Sequence, residues 1–218
     1  MTISAIIFDF DGTILDTEWS QYESVSREFR RHGVEYDLEL FRSYVGRADH
    51  PHWSELLQGL IGERHDIDEI CERRMKAHHD LIEATDIRLG VVDLMNLADR
   101  NTLPLAVASS SPLEWVDGHL TRRNLRDRFV TVATRDRVAN AKPWPDVFLL
   151  AAAELEISPS ECLVIEDSTN GVTAAKAAGM TCVAVPNPIT VGSDFSHADL
   201  VLDSLADFRA EAFGLVPI

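Results

Sequence analysis

Carboxylates mark this chain at two places. Asp9-Phe10-Asp11-Gly12-Thr13 follows one short apolar run, and Glu166-Asp167-Ser168 follows another. Asp9 and Asp11 are two residues apart, so an extended backbone points both side chains the same way. Gly12 permits a tight turn and a close approach of the main chain to a ligand. Paired carboxylates at a strand end are costly unless something neutralises them, and a divalent cation does so. If the two runs are neighbouring strands, about 4.8 Å apart, then Asp9, Asp11, Glu166 and Asp167 meet at one sheet edge. Hard oxygen ligands with open positions suit Mg²⁺.

Donors and a positive charge complete the chemistry. Ser109-Ser110-Ser111 ends a third apolar run. Ser111 and Glu114 read as a capping box with Pro112 at the first helical position, which gives Ser111 a structural role. Ser109 and the Ser110 amide are then left to donate to an anion. Lys142 lies in Ala141-Lys142-Pro143-Trp144-Pro145, where the prolines stiffen the segment and aim the ammonium. With a cation, these groups can hold a phosphoryl group for in-line attack by one aspartate. The second aspartate can protonate the departing alkoxide and later take a proton from water.

Such a site needs strands that end together. Apolar runs of strand length occupy residues 3–8, 105–108, 130–132, 162–165, 182–185 and 200–202, and several are apolar at nearly every position, as in strands covered on both faces. Helical patterns alternate with them. The expected fold class is therefore α/β, a Rossmann-like doubly wound parallel sheet. Residues 17–84 break the alternation with four helical stripes in succession, predicting an inserted α-helical bundle that covers the sheet's ligand-binding edge. The predicted organisation is a core of residues 1–16 and 85–218 and a helical cap of residues 17–84, with hinges near 16–18 and 84–90. Trp19 shares a stripe with Tyr22 and Phe29 and is expected in the bundle's core.

Composition narrows the function. The 218 residues include 36 acidic and 20 basic side chains, a net charge of −16. That field repels polyanions, which argues against nucleic acid and anionic membrane as partners. Three cysteines are too few for a disulfide framework and fit a reducing, cytoplasmic setting. No run approaches the roughly 18 apolar residues of a membrane span. The expected protein is a monomer acting on a small phosphorylated metabolite.

The ordered set Asp9-x-Asp11-Gly12-Thr13, Ser109, Lys142-Pro143 and Glu166-Asp167 resembles the haloacid dehalogenase superfamily, and within it the β-phosphoglucomutase-like phosphatases. The similarity runs over nearly the whole chain, most closely in 8–18 and 142–179. It implies Asp9 as nucleophile, Asp11 as general acid/base, and Mg²⁺ held by Asp9, the Asp11 carbonyl, Asp167 and Glu166. It implies that Lys142 and Ser109 bind the phosphoryl group, together with the Gly12–Thr13 and Ser110 main chain. Family members that cleave carbon–halogen bonds lack an aspartate matching Asp11, so phosphate chemistry is expected. The mutases carry a histidine where this chain has Gln21, which favours hydrolysis over a sugar-phosphate mutase. A non-catalytic phosphate- or metal-sensing module is the reading from a different class.

Substrate selection is expected from the helical insertion. Arg47, in a turn between helices, could clamp a second phosphate or a carboxylate. Glu18 and Gln21 are candidates for contacts with the leaving group. His50, His52, His65, His78 and His79 fit no zinc spacing, and adjacent histidines on a helix point about 100° apart, so they are expected to be solvated. The cysteines are expected to be small buried apolar residues.

Overall fold

The computed structural model describes residues 2–45, 51–62 and 65–217. Among them, six parallel strands form one sheet in the order β3-β2-β1-β4-β5-β6: β1 Ala5–Phe8, β2 Leu105–Ser109, β3 Thr131–Thr134, β4 Cys162–Glu166, β5 Thr181–Ala184 and β6 Leu200–Val201. The α/β class expected from the alternating pattern is the one found. The β1 run is shorter than the 3–8 pattern, and β3 starts at Thr131, just after an exposed Val130 whose amide donates to the Leu105 carbonyl.

Successive strand residues face opposite sides. Ile6, Phe8, Val107, Ile165 and Val183 join one apolar layer with α5 (Val91–Arg100) and α6 (Leu113–Arg122). Ala5, Ile7, Ala106, Val164 and Cys182 join the other with α7 (Asp146–Glu154) and α8 (Thr169–Ala177). Burial on both faces explains why these strands are apolar throughout.

Between β1 and α5 come four helices: α1 Thr17–Arg31, α2 Leu38–Tyr44, α3 Trp53–Ile61 and α4 Ile67–Glu83. Asp16, Asp37 and Asp66 accept main-chain hydrogen bonds at the starts of α1, α2 and α4. Val25, Phe29, Tyr36, Phe41, Leu57 and Ile70 form their shared core. Trp19 departs from its expected place there: it is 46% exposed and only tilts against Tyr22 at the surface. Cys162 and Cys182 are buried, whereas Cys71 is half-buried. No helix among the described residues is long and apolar enough to cross a membrane.

Candidate active site

Strand register builds the site. Phe8 pairs with Ile165 and with Val107, so Asp9 and Glu166 emerge side by side at the C-terminal edge, with Ser109 one residue further along β2. The Asp9 amide still donates to the Ile165 carbonyl, at 2.9 Å. This is where open α/β sheets bind ligands.

Lys142 joins the two strand ends. Its buried Nζ lies 2.5 Å from Asp9 Oδ1 and 2.7 Å from Glu166 Oε1, over the Phe148 ring. Glu166 Oε2 in turn accepts from the amides of Asp167 and Ser168 and from the Ser168 hydroxyl, at 2.9, 2.9 and 3.0 Å. Both Glu166 oxygens are thus engaged, one of them in holding the lysine. Burial would discharge Lys142, but Asp9 and Glu166 outweigh it and push the ammonium above its ordinary range.

Asp167 is held by Thr13 Oγ1 at 3.3 Å and by Asn187 Nδ2 at 2.5 Å. Asn187 is itself fixed, its Oδ1 accepting from the amides of Ile189 and Thr190. Gly12 makes the approach possible. Its φ is +81°, and a Cβ there would lie 2.2 Å from Asp167 Oδ2. Arg88 clamps the same loop, donating to the carbonyls of Gly12, Val185 and Pro186.

These carboxylates fit a divalent cation. Asp9, Glu166 and Asp167 each offer an oxygen, all within 4.8 Å of one another. Asp9 Oδ2 is buried without a hydrogen-bond partner among the described residues. Burial, opposed by Lys142 and aided by Glu166 and Asp11, pushes the Asp9 carboxyl up to about 7. Burial, then Glu166 and Asp9, pushes Asp167 well above the usual range. A hard cation gives the orphaned oxygen a partner and restores the charged forms.

Asp11 occupies a different cradle. Its Oδ1 accepts from Thr17 Oγ1 at 2.8 Å and Trp115 Nε1 at 2.9 Å. Its Oδ2 accepts from Ser111 Oγ at 2.6 Å and Ser109 Oγ at 3.4 Å. Ser111 therefore departs from its expected role. Pro112 is extended at ψ 155°, α6 begins at Leu113 without a side-chain cap, and the Leu113 amide donates to Asp136 instead. The capping box fails because Pro112 stays extended and the helix starts a residue later, which leaves the Ser111 hydroxyl to donate to Asp11.

A cavity of about 870 Å³ opens over Asp9, Asp11, Lys142 and Asp167 and runs beneath the helical insertion. Ser109, Ser110, Glu18 and Gln21 line it, as do Arg74 and His78 from α4. Burial and the nearby Asp11 and Asp9 carboxylates push Glu18 up to about 8. Arg47 and His50 lie outside the described residues. Arg74 was not singled out by sequence, and His78 only as a histidine expected to be solvated. Arg74 Nε and His78 Nε2 are buried without hydrogen-bond partners among the described residues, and the Arg74 guanidinium sits over the Trp53 ring. His78 is 9% exposed, contrary to the expectation of a solvated histidine. It packs flat on Trp115, 5.5 Å between centroids.

The fold and this edge of carboxylates define a class. Residues 6–185 match the family model of the haloacid dehalogenase-like hydrolases, and the chain belongs to that family. It is 41% identical to YhcW of Bacillus subtilis over 207 residues, 95% of this chain and 94% of the other. It is 31% identical to the validoxylamine A 7'-phosphate phosphatase of Streptomyces hygroscopicus subsp. limoneus over 205 residues, 93% and 94% of the two chains. Among solved structures, CbbY from Rhodobacter sphaeroides in complex with phosphate superposes with a TM-score of 0.75 at 31% identity, covering 94% of this chain and 96% of that one.

Proposed function

We propose that this protein is a Mg²⁺-dependent phosphatase that hydrolyses a small phosphorylated metabolite, such as a sugar phosphate, through an aspartyl-phosphate on Asp9. One observation carries the reading. Asp9 is buried with one oxygen bound to a lysine that Glu166 also holds, and with its other oxygen unpartnered. A structural aspartate has no need of that arrangement; a nucleophile beside a cation does.

Asp9, Asp167 and the Asp11 main-chain carbonyl are the groups to hold Mg²⁺, with Glu166 beside them. Bound there, the ion supplies positive charge that draws in the phosphate oxygens and offsets charge developing on them. Lys142 favours the ionised form of Asp9, orients it and presents its ammonium to the same oxygens. Ser109 and the Ser110 main chain donate from the neighbouring strand end. The Asp9 carboxylate attacks phosphorus as the ester P–O bond breaks. Asp11 passes its proton to the leaving oxygen, then takes one from the water that attacks the phosphorus, releasing phosphate and restoring Asp9.

Residues 17–84 act as the cap that walls the cavity from above. Glu18, Gln21, Arg74 and His78 face the leaving group from that side. Gln21 cannot shuttle a proton, which supports hydrolysis over mutase chemistry. The chain works as a cytoplasmic monomer, in keeping with its three free thiols and acidic surface. Phosphate release from a panel of sugar, polyol and nucleoside phosphates tests the reading. Turnover should require Mg²⁺, stop with EDTA and be lost in Asp9→Asn. Full turnover by that variant would refute it.

A further inference from the structure

We infer that Trp115 is a positioning residue for Asp11: its indole N–H aims the acid/base carboxylate, and rings from α4 of the helical insertion and from α6 aim the indole. The inference deepens the phosphatase reading and rests on it. Among the described residues, the side-chain donors Thr17, Ser109 and Ser111 to Asp11 are hydroxyls, whose protons rotate. Trp115 Nε1, at 2.9 Å, differs in having its N–H direction set by a ring plane.

That plane is held from two sides. His78 of α4 stacks on it at an interplanar angle of 11°. His119, one turn along α6, meets it edge-on with centroids 4.3 Å apart. His119 stacks in turn on Phe10 at 6.1 Å, and Phe10 is the residue between Asp9 and Asp11. The contacts thus close from Asp11 through Trp115 and His119 back to the main chain that carries Asp11. Burial, with nearby cationic side chains, pushes His78 down to about 3 and His119 to about 4. Both rings pack as uncharged plates at neutral pH.

The step that needs this aim is proton delivery. As the P–O bond breaks, its electron pair stays with the leaving oxygen and the Asp11 carboxyl proton moves to that oxygen. Such transfers fail when donor and acceptor are misplaced by even an ångström.

Two replacements at position 115 test the role. Trp115→Phe keeps a ring in the stack but removes the N–H. β-(3-Benzothienyl)alanine at 115 keeps the ring's shape and puts sulfur in place of the N–H. The measured quantity is kcat/KM, which reports steps through transfer to Asp9 and excludes later hydrolysis. For the best alkyl phosphate substrate it should fall about 10- to 100-fold in both variants. For p-nitrophenyl phosphate, whose leaving group departs without a proton, it should stay within about 2-fold. No loss, or equal losses on both esters, would overturn the role. The indole ¹⁵N–¹H resonance that vanishes in Trp115→Phe reads the contact directly. It should lie downfield and move upfield in Asp11→Ala; an unmoved resonance would also overturn the inference. A wild-type enzyme that hydrolyses neither ester would overturn the phosphatase reading and this role with it, while the resonance would still decide the contact.

Discussion

Lys142 Nζ stands 2.5 Å from Asp9 Oδ1 and, on its other side, 2.7 Å from Glu166 Oε1, so one ammonium bridges the tips of two adjacent strands. All three side chains are at most 7% exposed. In that setting the lysine sets the nucleophile's direction, offsets its charge and locks β1 to β4 at the site.

Removing the bridge leaves two buried carboxylates facing each other. Lys142→Met should lower the metal-free unfolding free energy by about 3–5 kcal/mol, the usual cost of breaking a buried pair from one side. Urea denaturation in EDTA measures this. A loss below about 1 kcal/mol would mean that water reaches the pair and screens it.

Gly171 lies in α8, where alanine is ordinarily favoured by about 1 kcal/mol. Here a Cβ would fall 1.7 Å from Glu166 Oε1. Gly171→Ala should therefore displace Glu166, release Lys142 and reduce kcat/KM at least about 10-fold, despite the helix preference. Steady-state kinetics with p-nitrophenyl phosphate would show it. An active, stabilised variant would contradict the packing described here.

Stability should fall as pH rises from 6.5 to 8 in the metal-free protein. Glu18 titrates at about 8 in the fold and Asp9 at about 7, against 4.5 and 3.8 when unfolded, and Asp167 is also raised. In that window the folded chain holds protons that the unfolded chain has already lost, so alkalinity favours unfolding. Below 6.5 the depressed His78 and His119 act in the opposite sense, because there the unfolded chain binds the extra protons. Denaturation at pH 6.5 and 8 should show the decline, and Glu18→Gln or saturating Mg²⁺ should flatten it. A rise over the same interval would contradict the assignment.

Arg74 has no carboxylate partner among the described residues, in a chain with 36 acidic side chains, and it faces the cavity. Arg74→Met should raise KM by about 10-fold for metabolites with a polar or anionic leaving group, roughly the worth of one charged hydrogen bond. It should leave p-nitrophenyl phosphate within about 2-fold. A uniform loss across substrates would instead indicate a folding role.

The sheet was legible because strands buried on both faces leave unbroken apolar runs, and the carboxylates that end them stand out against that background. Parallel pairing then brings Asp9, Glu166 and Asp167 together. Other features depend on directions that a linear pattern does not carry. Ser111 reads as a cap until Asp11, from another segment, takes its hydroxyl. His78 reads as a surface residue until α4 lies across Trp115. Trp19 keeps helical spacing with Tyr22 and Phe29, yet it stays outside the cluster those residues join. Asn187 had a signal that could have found it: it sits between two prolines just past β5, at the same sheet edge.

The central claim is that the phosphoryl group passes through Asp9. Mixing enzyme, Mg²⁺ and a turned-over phosphate ester, quenching in acid within milliseconds and reducing with borohydride converts an acyl phosphate to an alcohol. Mass spectrometry should then find homoserine at position 9 in the wild type, more of it in Asp11→Asn, and none without substrate. Turnover that leaves aspartate intact at position 9, or homoserine at another site, would contradict the account.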